Sequence, residues 1–535
     1  MAAVYTLLVD WNNDGDFTDS NDDITSDVLS LSWERGRDYA SQLTGKSIAG
    51  KLTATLINTG GKYSPSNTSS ALTGQIFPGR SVRLQAGTGS FPYTFPVAFN
   101  DGVRWQGKLD RILPAPSTTG TKTATLTAFG ILGYLNQFEV DLASVTDRRT
   151  DVAIGDILDD LGWDDADDRD LDTGQTTISR FWLRGQKGIA AMRLVEEAEA
   201  GFVLESKSGQ IAFESRFHRL TETASTTSQA TFSDVSALFP YTFPVSFNFS
   251  DASGATYTYM AIAQTDPLAT IVNHVEATAR TFDTASLAAL WVHPETGSAS
   301  PTLAPGQTKI FVAEYPNPDA ANNAMEVNAW TTPAATTDIL ANTASGGGGT
   351  NLTSDITIAA TKTAERMEIS LTNSATGSLV YLTKIQARGT AVSTKNPCIV
   401  RAIDATSKTK YGERKYVAKT KFIPTTSQAQ DWCDYQLVLS ASPTDVLTMT
   451  IPAGQSANLR QVLSRDISDR ITVTATNDAK LGISADFFIE SEAHVVAPGG
   501  QDHVTTWQLS PASGGYSQFW VLGTGVLGTS TVPAF

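Results

Sequence analysis

The stretch DWNNDGDFTDSNDD, from Asp10 to Asp23, holds the densest run of oxygen ligands in the chain. Oxygen donors at alternating positions (Asp10, Asn12, Asp14), then Gly15 for a sharp turn and Asp16, follow the first half of a calcium loop of the EF-hand kind. Asp10, Asn12, Asp14 and Asp16 are therefore candidate ligands for one Ca2+ ion. The twelfth position is Asn21 where such a loop carries a bidentate Glu, so closure falls to Asp22, Asp19 or Asp23. The competing reading is a turn rich in Asp and Asn because these residues tolerate left-handed backbone and bond their own amides. A second acidic run, Asp164, Asp165, Asp167, Asp168 and Asp170, has no glycine and reads as a solvated loop.

Catalytic patterns are weaker. His218, His274, His293, His494 and His503 sit in separate segments, with no His-x-x-x-His spacing, no Gly-x-Ser-x-Gly elbow and no cysteine partner. The run GGGGT, Gly346 to Thr350, lacks the Lys of a phosphate loop. Among 55 Asp and Glu residues a glycosidase pair has room to hide, but nothing singles one out. Two cysteines, Cys398 and Cys433, are too few for a disulfide framework or a zinc site; buried free thiols are expected, with a single bridge as the alternative.

The elements that must position these residues are mostly strands. At 535 residues the chain exceeds one hydrophobic core and implies several domains. VYTLLVDW, DVLSLSWERG, GKLTATLINTGG, RSVRLQAG, RWQGKLDRI and KTATLTAFG alternate apolar and polar residues between turn signals, which predicts a six-stranded antiparallel domain over 1–135. The period then changes. VAIGDILDDLGW puts Val152, Ile154, Ile157, Leu158 and Leu161 on one helical stripe with Gly162 as its stop, and GIAAMRLVEEAEAGF makes a second helix with Gly201 as C-cap. The hairpin FVLESKSGQIAFESR completes an α+β domain over 136–220.

From about Thr221 the pattern is β again, interrupted at 284–390 by a segment with its own turns and strand pair that reads as an inserted β-sandwich between two strands of its host. The second β domain is then 221–283 plus 391–480, with a short helix around Ala429, Trp432, Tyr435 and Leu437, and 481–535 is a β-rich tail segment. No twenty-residue apolar run suggests membrane insertion, and MAAVYTLLVDW reads as the start of a strand and not as a signal peptide. A net charge of −16, with no Lys/Arg cluster expected, argues against specific nucleic-acid binding.

Two nearly identical decapeptides, FPYTFPVAFN at 91–100 and FPYTFPVSFN at 239–248, each place aromatics on one parity and prolines on the other. That is a strand with one aromatic face and an edge lacking donors. Such a strand lies at a sheet margin. Tyr93, Phe95, Tyr241 and Phe243 are accordingly candidate partner contacts, with burial in the chain's own core as the alternative.

In order and style these segments resemble the hub, or tail-tip minor tail, proteins of long-tailed bacteriophages and related contractile injection machines. The resemblance runs through DWNNDGDF and DVLSLSWERGRD, the helix-hairpin IAAMRLVEEAEAGFVLESKSGQIAFESR, the inserted GGGGTNLTSDITI and LVYLTKIQARG, and the closing KYGERKYV, LRQVLSRDISDRITVTAT and FFIESEAHVV. It implies a mainly β, multidomain fold in which 1–135 and the second β domain are two tube-like barrels or sandwiches, beside the α+β domain and the inserted sandwich. It further implies a homotrimer forming a pseudo-six-fold ring between a hexameric tail tube or distal tail protein and a trimeric fibre or spike. Such a ring is assembled in the host cytoplasm, sits in the virion tail and is a conduit through which DNA passes without being bound. No catalysis and no cofactor beyond Ca2+ is implied. Two readings from other classes stand beside it: a carbohydrate- or receptor-binding surface protein, and a secreted glycan hydrolase.

Overall fold

In a computed structural model the described residues are 3–38, 46–88, 102–115, 120–234, 256–265, 267–315, 326–363, 365–375, 377–453, 458–498, 502–512, 519–520 and 532–533. Both decapeptides, and with them Tyr93, Phe95, Tyr241 and Phe243, lie outside these residues.

Six strands, β1 (Ala3–Val9), β2 (Val28–Asp38), β3 (Lys46–Ile57), β4 (Ser81–Thr88), β5 (Gly102–Ala115) and β6 (Thr123–Gly130), pair antiparallel in the order β1-β4-β5-β6-β3-β2. Strand alternation builds the core directly: Leu52, Ala54 and Leu56 face Ala128, Leu126 and Ala124, all buried, and Trp11, Trp33, Tyr63 and Trp105 fill the centre. In β5 the buried set shifts from odd (Trp105, Leu109) to even (Ile112) because a bulge at Leu109/Arg111 inserts one residue.

The α+β unit follows with α1 (Ile131–Leu135), β7 (Glu139–Arg149), α2 (Thr150–Asp160), β8 (Arg169–Leu171), β9 (Thr177–Lys187), α3 (Gly188–Glu199), β10 (Phe202–Glu205) and β11 (Ile211–Glu214). Helix α2 buries Ala153, Ile154, Ile157 and Leu158, whereas Val152 turns outward, one step off the expected stripe. Helix α3 ends in a left-handed residue, but it is Ala200 (φ 57°) and not Gly201. Gly201 is needed for space, since a Cβ there would meet the Glu214 carbonyl at 2.5 Å.

Short helices α4 (His218–Thr221) and α5 (Thr223–Thr226) lead to β12 (Thr231–Ser233), β13 (Thr256–Thr258) and β14 (Ala261–Gln264). Strand β15 (His274–Thr284) then runs into the inserted region, made of β16 (Ala288–His293), β17 (Thr302–Leu303), β18 (Thr308–Glu314), β19 (Glu326–Trp330), β20 (Ile339–Asn342), β21 (Ile356–Lys362) and β22 (Arg366–Asn373). The chain returns along β23 (Val380–Ile403), a strand of 24 residues. Sheet β18-β22-β21 faces a sheet built on β23, with Leu303, Met367, Ile369, Leu382 and Ile385 between them. Beyond the insert, β15 and β23 stay paired, and α6 (Ala405–Tyr411), β24 (Lys415–Val417) and α7 (Thr426–Ser440) follow. Helix α7 covers one face of sheet β24-β15-β23 with Ala429, Trp432 and Cys433.

The last β core adds β25 (Leu447–Pro452), α8 (Asn458–Ser464), β26 (Arg470–Ala475), β27 (Ile483–Val496) and β28 (His503–Pro511). Its strand order is β13-β12-β26-β27-β28-β25-β14, around Phe232, Met449, Val473, Phe487 and Trp507. The expected boundary at 480 therefore falls inside this core, which continues to Pro511. The stretch 274–284 with 392–440 has a core of its own. The two β regions also differ in strand order among the described residues: the first is antiparallel throughout, while β12 joins both β13 and β26 in parallel. Each decapeptide nonetheless falls in a connection between sheet neighbours, β4 to β5 and β12 to β13.

Strand β27 couples the two cores. Its first half pairs with β26, its second half pairs with β2 (Leu31 to Gly36 against Val496 to Ser491), and β28 lies along its other edge. The crossing is tight at Gly36, whose φ of +119° and approach to the Glu490 carbonyl leave no room for a Cβ. Gly36→Ala is expected to cost about 1–3 kcal/mol in backbone strain alone and to speed hydrogen exchange along β2 and β27. Unchanged exchange there would contradict the tight crossing. Among the described residues no helix is long and apolar enough to cross a membrane.

Candidate functional site

The acidic turn after β1 is closed by its own hydrogen bonds. Buried Asp10 accepts from the amides of Asn13 (2.5 Å) and Gly15 (3.1 Å), and Asp14 accepts from the Asp16 amide (3.2 Å). Asp16 takes the Thr18 amide and hydroxyl (both 2.9 Å), and Asp22 takes the Asp19 amide (3.2 Å). The Asn12 amide donates to Asp14 (2.8 Å) and Asp19 (2.6 Å), so a donor stands between these carboxylates. Among the described residues no three His, Cys, Asp or Glu side chains converge as a metal site. This set fits chained Asx turns better than a cation cage. Asp10→Ala, which strips acceptors from two amides, should destabilise the turn by about 1–3 kcal/mol. A rise in melting temperature of the unmodified protein in millimolar Ca2+, lost in Asp10→Ala, would instead establish an ion site.

The structure brings together a larger constellation. In β2 and β27 the charged residues Arg35, Arg37, Glu490 and Glu492 are all buried. Arg35 donates to Glu492 (2.6 Å), to Asp466 and to the Glu205 carbonyl (3.2 Å). Glu490 binds Arg37 and, through both oxygens, Arg219 (2.8 and 3.0 Å), while Ser510 donates to it. Burial alone would push Glu490 up, but the Arg219 and Arg37 guanidiniums outweigh it and hold the carboxyl at about 2. The aromatic faces of Phe202 and Phe488 lie against Arg37 (3.5 Å) and Arg219 (4.5 Å).

The hairpin β10–β11 inserts into this joint. Glu205 reaches the first β core, accepting from the amides of Gly50 and Leu132 (3.1 Å) where Gly50 and Gly130 leave space for it. Burial raises its carboxyl to about 7 against those hydrogen bonds. Ser468 donates to Glu214 (2.6 Å) and accepts from Arg219 (3.1 Å).

Two histidines that are separate in sequence meet beside this network. Nδ1 of His494 lies 2.9 Å from Nε2 of His503, Thr505 Oγ1 is within 3.2 Å of both, and Tyr5 from β1 contacts His503 Nδ1 at 2.8 Å. Trp33 stacks on His494 at 4.4 Å. The sequence signal was available: both histidines flank APGGQD, a Pro-Gly-rich stretch that reads as a turn, and fall on the paired strands β27 and β28.

Chemically this arrangement pairs buried charges and hydroxyls with one another. The Ser468 and Ser510 hydroxyls donate to carboxylates, and neither has a histidine base among its contacts. His218 pairs with Asp172 (2.8 Å), but its other nitrogen faces Glu214 at 3.6 Å. Of the thiols, Cys433 is buried and its pKa is pushed up to about 12 by burial and Asp434, whereas Cys398 is exposed, contrary to expectation, and both are free.

No known family profile and no curated protein matches the sequence. Among solved structures the chain is similar to a tail protein from Neisseria meningitidis MC58, at 9% identity and TM-score 0.48 over 95% of this chain and 97% of that one. It is also similar to the 43 kDa tail protein of prophage MuSo2 from Shewanella oneidensis, at 8% identity and TM-score 0.45 over 96% and 99%. The prophage tail protein gp18 from Listeria monocytogenes EGD-e matches at 9% identity and TM-score 0.38 over 95% and 94%. The fold is mainly β and multidomain on the chain's own geometry.

Proposed function

We propose that the chain is a structural hub protein of a bacteriophage tail tip, forming a trimeric ring that joins the tail tube to distal fibre or spike proteins and encloses the DNA path. The observation that carries this reading is the joint between the two β cores. A shared strand, β27, and a buried ionic network hold two β modules side by side as one body, so three chains would present six modules. The match to six-fold symmetry is one of module number and not of strand order. The order of motifs along the sequence supports the same reading, and the described site offers cement where an enzyme needs a base and a nucleophile.

Native mass spectrometry and electron microscopy of the purified chain with its tail-tube partner test it. Three-chain rings with six lobes, labelled at the tail tip of intact particles, are expected. Retention on glycans or release of sugar by a monomer absent from the tail tip would overturn the proposal.

A further inference from the structure

Helix α7 covers one face of sheet β24-β15-β23, and the opposite face carries an organised surface. Register sets its rows: His274 lies between Ile403 and Lys415, Glu276 between Arg401 and Val417, and Thr278 beside Ile399. Three aliphatic side chains on it are exposed, Ile399 at 59%, Val417 at 45% and Ile403 at 42%. Around them Glu276 takes Lys415 (2.7 Å), His274 (3.1 Å) and Arg401 (3.8 Å), and Glu413 takes His274 (2.6 Å) and Lys408 (3.0 Å). Contrary to the expectation drawn from net charge, eight of the chain's 39 Lys and Arg residues fall between 395 and 421, against only Asp404 and Glu413.

The opposite charge is gathered elsewhere. Asp159, Asp160, Asp164, Asp165, Asp167, Asp168 and Asp170 follow the end of α2, with Arg169 as the one cation between 159 and 170. Helices α2 and α3 run antiparallel: Thr150 at the start of α2 donates to Glu199 at the end of α3 (2.8 Å), while Leu161 lies against Gly188 at the other end. The end of α3 is also where the basic unit attaches, through Tyr416 to Glu197 (2.7 Å) and Trp432 to the Glu197 carbonyl (2.7 Å). The basic face and the acidic loop therefore lie at opposite ends of a helix pair roughly 18 Å long.

We propose that the β24-β15-β23 face is a docking surface for the acidic 159–170 loop of a second copy of this chain, giving a head-to-tail contact. A heterologous contact between opposite ends closes into a ring or runs on as a filament; that it closes rests on the hub reading above. The surface suits a protein and not phosphate, because Glu276 and Glu413 stand among its cations and three aliphatic side chains need an apolar cover. Beside its carboxylates the loop carries Leu161 and Trp163, which are half-buried against the α+β core and keep only part of their surface exposed.

Charge exchange tests this. Sedimentation of the full chain at low salt and tens of micromolar protein should show an oligomer that dissociates at high salt. Ile399→Asp with Lys415→Glu should weaken association about tenfold or more, and Asp164→Lys with Asp165→Lys should do the same. All four changes in one chain should restore it. Circular dichroism confirms folding, and Ile399→Asp alone, at an exposed position, guards against loss of the Glu276 pairing. Oligomers indifferent to every variant overturn the contact and leave the ring reading standing. An unmodified chain that stays monomeric even with its tail-tube partner overturns both. Binding of a labelled DNA duplex that is abolished by the face variants, with self-association unchanged, assigns the face to nucleic acid and overturns the proposal.

Discussion

Glu490→Ala should loosen the joint between the two β cores by about 3–5 kcal/mol, because it leaves two buried guanidiniums, Arg37 and Arg219, facing an emptied carboxylate site. The loss comes from stranded charge more than from a missing bond. Glu490→Gln keeps an acceptor for Arg219 but removes the countercharge, and an intermediate loss is expected. Replacing all three members by methionine removes the stranded charge altogether and should recover much of the stability, since buried ion clusters exchanged for apolar groups of similar volume are often neutral or better. With several cores in one chain, global unfolding is not two-state. Hydrogen exchange on β2 and β27 is the local measure, and protection unchanged in Glu490→Ala would mean that strand pairing alone holds the joint.

Acid should open the same joint. His503 is buried, and burial followed by the neighbouring His494 pulls its pKa from 6.5 to about 3. The sign follows from linkage: the unfolded chain binds a proton that the folded one refuses. The stability that depends on neutral His503 is fully present above pH 6.5 and is lost progressively as pH falls towards 3, in total on the order of 5 kcal/mol. His494, Glu492, Thr505 and Tyr5 face it, and none supplies a carboxylate in direct contact. Glu490, held at about 2, adds a second acid limb, present above 4.5 and lost as pH falls through 2. Glu196 acts on the other side: burial raises it to about 8, so its contribution is present below 4.5 and lost as pH rises through 8. Urea midpoints measured against pH should show the His503 limb, and His503→Asn should flatten it between pH 6.5 and 4.5 while leaving the steeper carboxylate limb. An unchanged profile would place the acid sensitivity elsewhere.

The strands of the first core were legible because one face of each is buried and the other wet, so period two survives in GKLTATLI and TATLTAFG. The helix α2 was legible for the same reason at period 3.6, with only Val152 misplaced. The joint was not. Arg35 and Glu492 are 457 residues apart, and no local pattern pairs them. A trace existed in FFIESEAHVV, where Glu490, Glu492 and His494 recur on one parity, and in SWERGRD, where Arg35 and Arg37 share the parity of the buried Trp33. The boundary at 480 failed because β27 belongs to both cores, and a strand shared between units carries no turn or composition shift to mark the division. The basic face was hidden by the sum: a net charge of −16 averages over poles that the fold holds apart.

Strand β23 is one strand of 24 residues, with register shifts along its pairings, first the spine of the inserted sandwich and then a strand of the host sheet. At about 3.3 Å per residue it is a beam on the order of 80 Å long. An insert hung on two loops would swivel; one built onto such a beam is a cantilever. Its host-side end is braced again where Arg180 meets Asn328 (2.6 Å) and Arg366 meets Asp141 (2.6 Å). A push on the sandwich would load the hydrogen bonds between β15 and β23 in shear and would reach the α+β unit through these two braces as well.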